Sequence, residues 1–383
     1  MQVENETNGQ LEALIRERIR RQGPIPFAEY MRLCLYHPEY GYYMTPRRRI
    51  GKQGDFFTSS SVHFLFGRLI ARQLVQLWEL LGGGAMTIAE QGAGEGYLAL
   101  DILDALREEA ADCYHSLTYA LVEVSPEHRA RQQERLAGHA ARLVWCEPGE
   151  LAGMTGCILS NELVDAFPVH LVEKRDGLLR EIHVGLDGET LVEVVAEPSI
   201  GRLQEHVDWL GCGPVEGNRG EINLEAVDWM RQVARLLGRG MVLTIDYGYP
   251  AAELYAPHRR AGTLLCYHRH RSHDNPYVNI GCQDMTSHVD FTALQKAGEE
   301  EGLETLWFGE QYRFLMGLGF VEQLIALQAR ETDPLRAQQL RMTLKNLILP
   351  EGGMGETFKV LVQGKGIGRP ELLCQRPIEA IRI

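Results

Sequence analysis

The stretch Met86-Thr87-Ile88-Ala89-Glu90-Gln91-Gly92-Ala93-Gly94-Glu95-Gly96-Tyr97 decides the fold. A short apolar run ends in an acid and passes into three alternating glycines, the form of a strand that turns sharply into a helix. Glycines there permit a tight turn and let a ligand approach the backbone closely. The dinucleotide fingerprint G-x-G-x-x-G would need a glycine at position 97, where this chain has Tyr97. The spacing is G-x-G-x-G instead. Glu90 at the strand end would set negative charge beside a dinucleotide pyrophosphate, but it suits a ligand carrying an ammonium and a sulfonium. The loop therefore favours S-adenosylmethionine over NAD, with Glu90, Gly92, Gly94 and Gly96 as candidate contacts.

Outward from this loop, short apolar runs alternate with amphipathic stretches. Strands are expected at Met86–Ala89, Leu117–Val122, Leu143–Trp145, Cys157–Leu159 and Met241–Ile245, with helices between them. Ser125-Pro126-Glu127 combines a capping hydroxyl, a proline at the first helical position and an acid in the first turn. Val227, Met230, Ala234 and Leu237 mark another helix, ended by Gly238. The pattern is that of an α/β fold, a doubly wound, mainly parallel sheet. Thr305–Phe308 and Phe358–Val362 are expected to add an antiparallel edge. Upstream, residues 10 to 80 read as helical, broken by a Pro/Gly/Tyr-rich stretch from about Gly23 to Thr58. One helix is expected over Val62 to Leu81, where Phe66, Ile70, Leu74, Leu77 and Leu81 recur, ended by Gly82-Gly83-Gly84.

The expected organisation is an N-terminal helical segment (1–80) whose Gly/Tyr-rich loop covers the site, a methyltransferase-type domain (81–365), and a tail (366–383). Two insertions interrupt the domain. Residues 166–220 hold strand-like stretches separated by Asp176-Gly177 and Asp187-Gly188, both hairpin signals, and predict a small β elaboration. Residues 248–290 are rich in His, Arg, Tyr and Pro without clear periodicity and predict a long ordered loop or cap near the site, so the insertion 248–303 is expected to be a cap or substrate lobe.

Composition narrows the function classes. The net charge of −13 argues against a broad electrostatic footprint for nucleic acid. No apolar run approaches the roughly 18 to 20 residues needed to cross a bilayer, so no membrane insertion is expected. The eight cysteines are scattered without a C-x-x-C pair and read as reduced packing residues. The start, Met1-Gln2-Val3-Glu4-Asn5-Glu6, lacks secretory and transit-peptide layouts, so a bacterial cytoplasm is expected ahead of a mitochondrial matrix. A homodimer is compatible with these features.

In a parallel sheet, ligands bind outside the carboxyl ends of the strands. The second strand ends in Glu123, where an acid can accept hydrogen bonds from both ribose hydroxyls; alternatively it favours the next helix through the dipole. The fourth ends in Ser160-Asn161-Glu162-Leu163-Val164-Asp165-Ala166-Phe167-Pro168. Methylases of exocyclic adenine nitrogens and of amide nitrogens place Asn or Asp, then Pro-Pro and an aromatic, at this point; this chain offers carboxylates. Carboxylates suit a guanidinium, which they can pair bidentately and orient for in-line attack on a methyl carbon. Glu162 and Asp165 are thus the catalytic candidates, with Asn161 beside them, and capping of the next helix is the alternative. Gly51-Lys52-Gln53-Gly54-Asp55-Phe56-Phe57-Thr58-Ser59 is either a staple and cap or a flap over the cofactor. Cys266, His268 and His270 would share one face only on a strand, and Arg269 and Arg271 oppose a cation, so no metal is expected.

Strings along nearly the whole chain resemble the MidA family. They are Gly41-Tyr42-Tyr43, Gly54-Asp55-Phe56 with Thr58, Phe66-Gly67, the Glu90 glycine loop, and Leu121-Val122-Glu123. They continue in Asn161-Glu162 with Asp165 and Pro168-Val169, Asp246-Tyr247-Gly248, Gly262-Thr263-Leu264, Asp284-Met285-Thr286 with Val289-Asp290-Phe291, and Met354-Gly355. The resemblance implies a class I methyltransferase core with an additional, partly helical lobe, S-adenosyl-L-methionine as donor, and transfer to arginine in a partner protein. It also implies Gly54, Asp55, Phe56 and Thr58 as donor contacts. The chain departs from the family pattern at Ser60-Ser61, where relatives often have Pro-Glu, and at Ala93 and Glu95, where many have Pro and Arg. Two other functions compete: an assembly factor that binds a partner subunit with little catalysis, and a small-molecule methyltransferase.

Overall fold

A computed structural model describes residues 6–45, 63–330 and 357–377, with isolated positions between 333 and 348. The chain divides into two units, each assembled from separated segments. Met1–Phe56, Val164–Trp229 and Gly248–Leu294 form one; Phe57–Leu163, Met230–Tyr247 and Gln295–Ile383 form the other.

The second unit is built on the expected sheet. Its strands run in the order Glu304–Glu310, Phe358–Lys365, Leu237–Tyr249, Met154–Asn161, Met86–Gln91, Leu117–Val122, Leu143–Trp145. From Leu237–Tyr249 to Leu143–Trp145 all neighbours are parallel, whereas Phe358–Lys365 is antiparallel to both of its partners. Chain order reverses between Met86–Gln91 and Met154–Asn161, so a crevice at their carboxyl ends is where a ligand is expected. One sheet face carries Ile88, Leu121, Cys157, Leu159, Leu243 and Ile245 into a core shared with helices Leu65–Leu80 and Tyr97–Glu109. Burying a side chain of this size contributes roughly 1.5 to 3 kcal/mol. Gly67 lets the two helices approach, since a Cβ there would lie 2.5 Å from Asp101 Cβ. That contact accounts for the glycine of Phe66-Gly67.

The first unit is antiparallel. Ile25–Pro26, Leu178–Asp187, His170–Arg175 and Arg219–Ile222 are neighbours in that order, and Thr190–Ala196 adds to Leu178–Asp187. Both hairpins fall where the Asp-Gly pairs stand. Arg175 pairs with Leu178 across Asp176-Gly177, whose φ angles are +53° and +75°, and Asp187 pairs with Thr190 across Gly188-Glu189.

Three expectations need correction. The break expected from Gly23 contains a helix, Phe27–Tyr36, because Phe27, Tyr30, Met31, Cys34 and Leu35 recur at helical spacing and are buried. The 248–290 stretch is not one long loop. Leu265–His268 pairs antiparallel with Arg271–His273 and Asp284–Thr286, and Val289–Asp290 pairs parallel with Gly248–Tyr249. Strands of two to four residues are too short to show a period. Finally, residues 1–80 do not form one segment, since Gly9–Gln22 and Phe27–Tyr36 belong to the first unit and Leu65–Leu80 to the second. No described helix is long and apolar enough to cross a membrane.

Candidate active site

The switch-point edge lies within the second unit. At the end of Met86–Gln91, Glu90 is buried and accepts a hydrogen bond from the Tyr119 hydroxyl at 2.7 Å. Burial, together with repulsion from Glu123, pushes its carboxyl up to about 7, against the lowering effect of the Tyr119 bond. Gly92, Gly94 and Gly96 follow with φ of +68°, +52° and +81°, a run that side chains rarely adopt. A Cβ on Gly92 would also meet Leu163 Cδ1 at 2.7 Å, so this loop lies directly against the end of Met154–Asn161.

The next strand delivers Glu123. Its Oε1 accepts from Ser125 N at 2.8 Å and its Oε2 from Gln132 Nε2 at 3.2 Å. Ser125 in turn caps helix Pro126–Arg135 through His128 N, as the Ser-Pro-Glu signal predicts. The capping alternative for Glu123 is therefore realised in part. A carboxylate offers about four lone-pair sites, which leaves capacity for a ligand hydroxyl. The same helix pins the glycine loop. Gln132 Nε2 donates to Gly94 O at 2.8 Å, Arg135 Nε donates to Glu95 O at 2.8 Å, and Arg131 and Arg135 both pair with the Glu95 carboxylate.

At the end of Met154–Asn161 the chain turns through Glu162, a non-glycine residue held at φ +52°. Such a conformation persists only where its surroundings enforce it. Here Glu162 N donates to Ile245 O at 2.9 Å, and Leu163 N donates to Asp246 Oδ2 at 3.2 Å. Asn161 Nδ2 donates to Glu162 Oε1 at 3.0 Å, while Asn161 Oδ1 is buried with no partner among the described residues. The strand edge thus combines a carboxylate carried on a left-handed turn, a buried amide oxygen, and a glycine-loop cradle flanked by Glu90 and Glu123. That set fits a ligand bearing an ammonium, a ribose and a cationic sulfur.

The chain passes from the second unit to the first between Leu163 and Val164, so Glu162 and Asp165 belong to different units. Asp165 is buried in a short 3-10 turn, and its carbonyl accepts from Ser287 N at 3.0 Å. Within the first unit, Tyr36 donates to Ala166 O at 3.0 Å, and Tyr43 donates to Asp284 Oδ1 at 2.7 Å. Burial, and then the charges of Asp284 and Asp165, hold the Tyr43 phenol well above its ordinary value. Gly262-Thr263-Leu264 wraps the buried Glu221 carboxylate, which accepts Thr263 N, Thr263 Oγ1 and Leu264 N at 2.9 to 3.1 Å. Gly54, Asp55, Phe56 and Thr58 lie outside the described residues. Cys266 is buried, and His268 pairs with Glu6. Among the described residues no three His, Cys, Asp or Glu side chains could hold a metal ion.

Two contributors, Tyr119 and Gln132, escaped the sequence reading. Tyr119 sits three positions before the end of Leu117–Val122 and reads as core. Asp246, from the family string Asp246-Tyr247-Gly248, holds the Glu162 turn through Leu163 N. Gln132 lies in the polar helix PEHRARQQER. The spacing His128, Gln132, Leu136 was the available signal, since it marks the buried side of that helix.

Comparison with known proteins places these features. A family described as S-adenosyl-L-methionine-dependent methyltransferase matches residues 69–309. A crystal structure from Burkholderia thailandensis, solved with S-adenosyl-homocysteine bound, superposes with a TM-score of 0.85 at 35% identity, covering 95% of this chain and 94% of that one. The chain is 29% identical to the mitochondrial protein arginine methyltransferase NDUFAF7 homolog of Drosophila melanogaster, over 94% of this chain and 86% of the relative. It is 26% identical to the human mitochondrial protein arginine methyltransferase NDUFAF7, over 89% of this chain and 80% of the relative.

Proposed function

This chain belongs to the MidA family of S-adenosyl-L-methionine-dependent methyltransferases, and from that premise we propose that it methylates an arginine guanidinium of a partner protein. The observation that carries the proposal is Glu162, a carboxylate fixed in a left-handed turn at the switch-point edge by Asn161, Ile245 and Asp246. The relatives' description as protein arginine methyltransferases supports it.

Bound S-adenosyl-L-methionine supplies a methyl carbon made electrophilic by its sulfonium. Gly92, Gly94 and Gly96 would hold the donor's amino-acid part at the start of helix Tyr97–Glu109, where Glu90 and Asn161 Oδ1 offer acceptors to its ammonium. Glu123 would accept from the ribose hydroxyls. Glu162 would pair the guanidinium and aim one nitrogen at the methyl carbon. Glu162 would stabilise the positive charge that passes from the sulfonium to the guanidinium on methyl transfer and would take up the proton the methylated nitrogen gives off. Asp165, three residues on, is proposed as a second acid on sequence grounds. Gly54, Asp55, Phe56 and Thr58 remain proposed donor contacts on the family pattern alone.

The test is incubation of the purified chain with methyl-labelled donor and host lysate. Label recovered as methylarginine in a protein band is expected. Label confined to a small molecule would overturn the arginine reading, and no transfer at all would favour an assembly role.

A further inference from the structure

We propose that Gln132 is a positioning residue for the methyl donor, a side chain that sets three adjacent strand-end segments of the donor site in register. The inference rests on the reading that the glycine loop and Glu123 hold the donor. Gln132 is fully buried, although it lies in a helix whose other residues are mostly charged. Its two amide hydrogens are both used: Nε2 donates to Gly94 O at 2.8 Å and to Glu123 Oε2 at 3.2 Å. Its Oε1 accepts from Trp145 Nε1 at 2.9 Å.

These partners stand at the carboxyl ends of three adjacent parallel strands. Gly94 follows Met86–Gln91, Glu123 follows Leu117–Val122, and Trp145 ends Leu143–Trp145. A ligand lying across those ends meets all three. Only an amide can serve this junction, because it must donate twice and accept once, toward a carbonyl, a carboxylate and an indole N–H. A carboxylate in its place would face two acceptors with no proton to offer. An apolar side chain would leave a part-buried carbonyl and a part-buried indole N–H without this partner. The loop also approaches the helix closely here: a Cβ on Gly96 would meet Gln132 Cγ at 3.3 Å.

The experiment compares donor affinity, by calorimetry with S-adenosyl-homocysteine, for the wild type, Gln132→Met, Gln132→Glu and Trp145→Phe. Gln132→Met keeps the length and removes all three bonds. Its Kd is expected to rise tenfold to a hundredfold, and Gln132→Glu at least as much. In steady state the loss should appear in KM for the donor, with kcat at saturating donor falling far less. A lowered Tm with wild-type donor affinity would make Gln132 a packing residue only and overturn the proposal. Should Gln132→Met not fold, Trp145→Phe decides, since it removes one bond of the three. A Kd raised threefold or more supports the proposal, and an unchanged Kd overturns it. Gly94→Val is the control for the underlying reading: wild-type affinity in that variant means that the site itself is elsewhere, whatever Gln132 does.

Discussion

Replacing Glu90 by Gln should strengthen the fold and weaken the donor site at once. The buried carboxyl titrates at about 7 in the folded chain, against an ordinary 4.5, chiefly because burial disfavours its charge. Between those two pH values the folded chain keeps a proton that the unfolded chain has lost. Stability therefore falls as pH rises from 4.5 to 7 and stays at its lower level above. At about 1.4 kcal/mol per pH unit, the ceiling on this penalty is about 3 kcal/mol. An amide carries no charge at any pH, and its carbonyl can still accept the Tyr119 hydroxyl. Urea unfolding should accordingly show Glu90→Gln more stable than wild type at pH 8, with the advantage vanishing by pH 4. In the same variant the donor ammonium loses a charged partner, and Kd should rise about tenfold to a hundredfold. Stability profiles running parallel from pH 5 to 8 would refute the desolvation argument. Unchanged donor affinity would remove Glu90 from the site.

Gly94→Val forces a branched side chain into a backbone at φ +52°. It should abolish donor binding in calorimetry while circular dichroism stays near wild type. Glu162→Gln and Asp165→Asn should each keep donor affinity and lower methyl transfer about tenfold to a hundredfold, assayed on an identified arginine substrate; full activity in both would sink the guanidinium assignment. Gly262→Ala should destabilise the fold by more than about 1 kcal/mol, from the φ of +77° alone, with a Cβ 2.2 Å from Glu221 Oε1 adding to it. A thermal melt at the wild-type temperature would show that the Glu221 knot contributes nothing.

The parallel sheet was legible because each strand is a clean apolar run bounded by turn residues, as at Met86–Gln91 and Leu117–Val122. The acids at the strand ends were legible for the same reason, since topology sends every such residue to one edge. What a side chain does at that edge was not. Glu123 reads as a ribose acceptor, yet it also holds Ser125 N and Gln132, bonds that depend on how the next helix packs. Gln132 itself is invisible in a helix whose polarity matches a solvated surface. The division into two units escaped for a different reason. It joins residues 9–45 to 164–229 and 248–294, contacts that no local pattern encodes. The short strands of 265–286 fail at the level of period, being shorter than the window in which alternation can be counted.

The place of Phe358–Lys365 has a consequence for synthesis of the chain. It is the inner neighbour of Leu237–Tyr249, whose segment Met-Val-Leu-Thr-Ile is buried in the finished sheet. The ribosome delivers it roughly 115 residues after Tyr249. At about 5 to 20 residues per second, that edge waits about 6 to 23 seconds with its hydrogen-bonding groups unmet. An open apolar edge invites pairing with another nascent chain. The parallel strands are thus made early, yet their sheet cannot close until Phe358–Lys365 has followed.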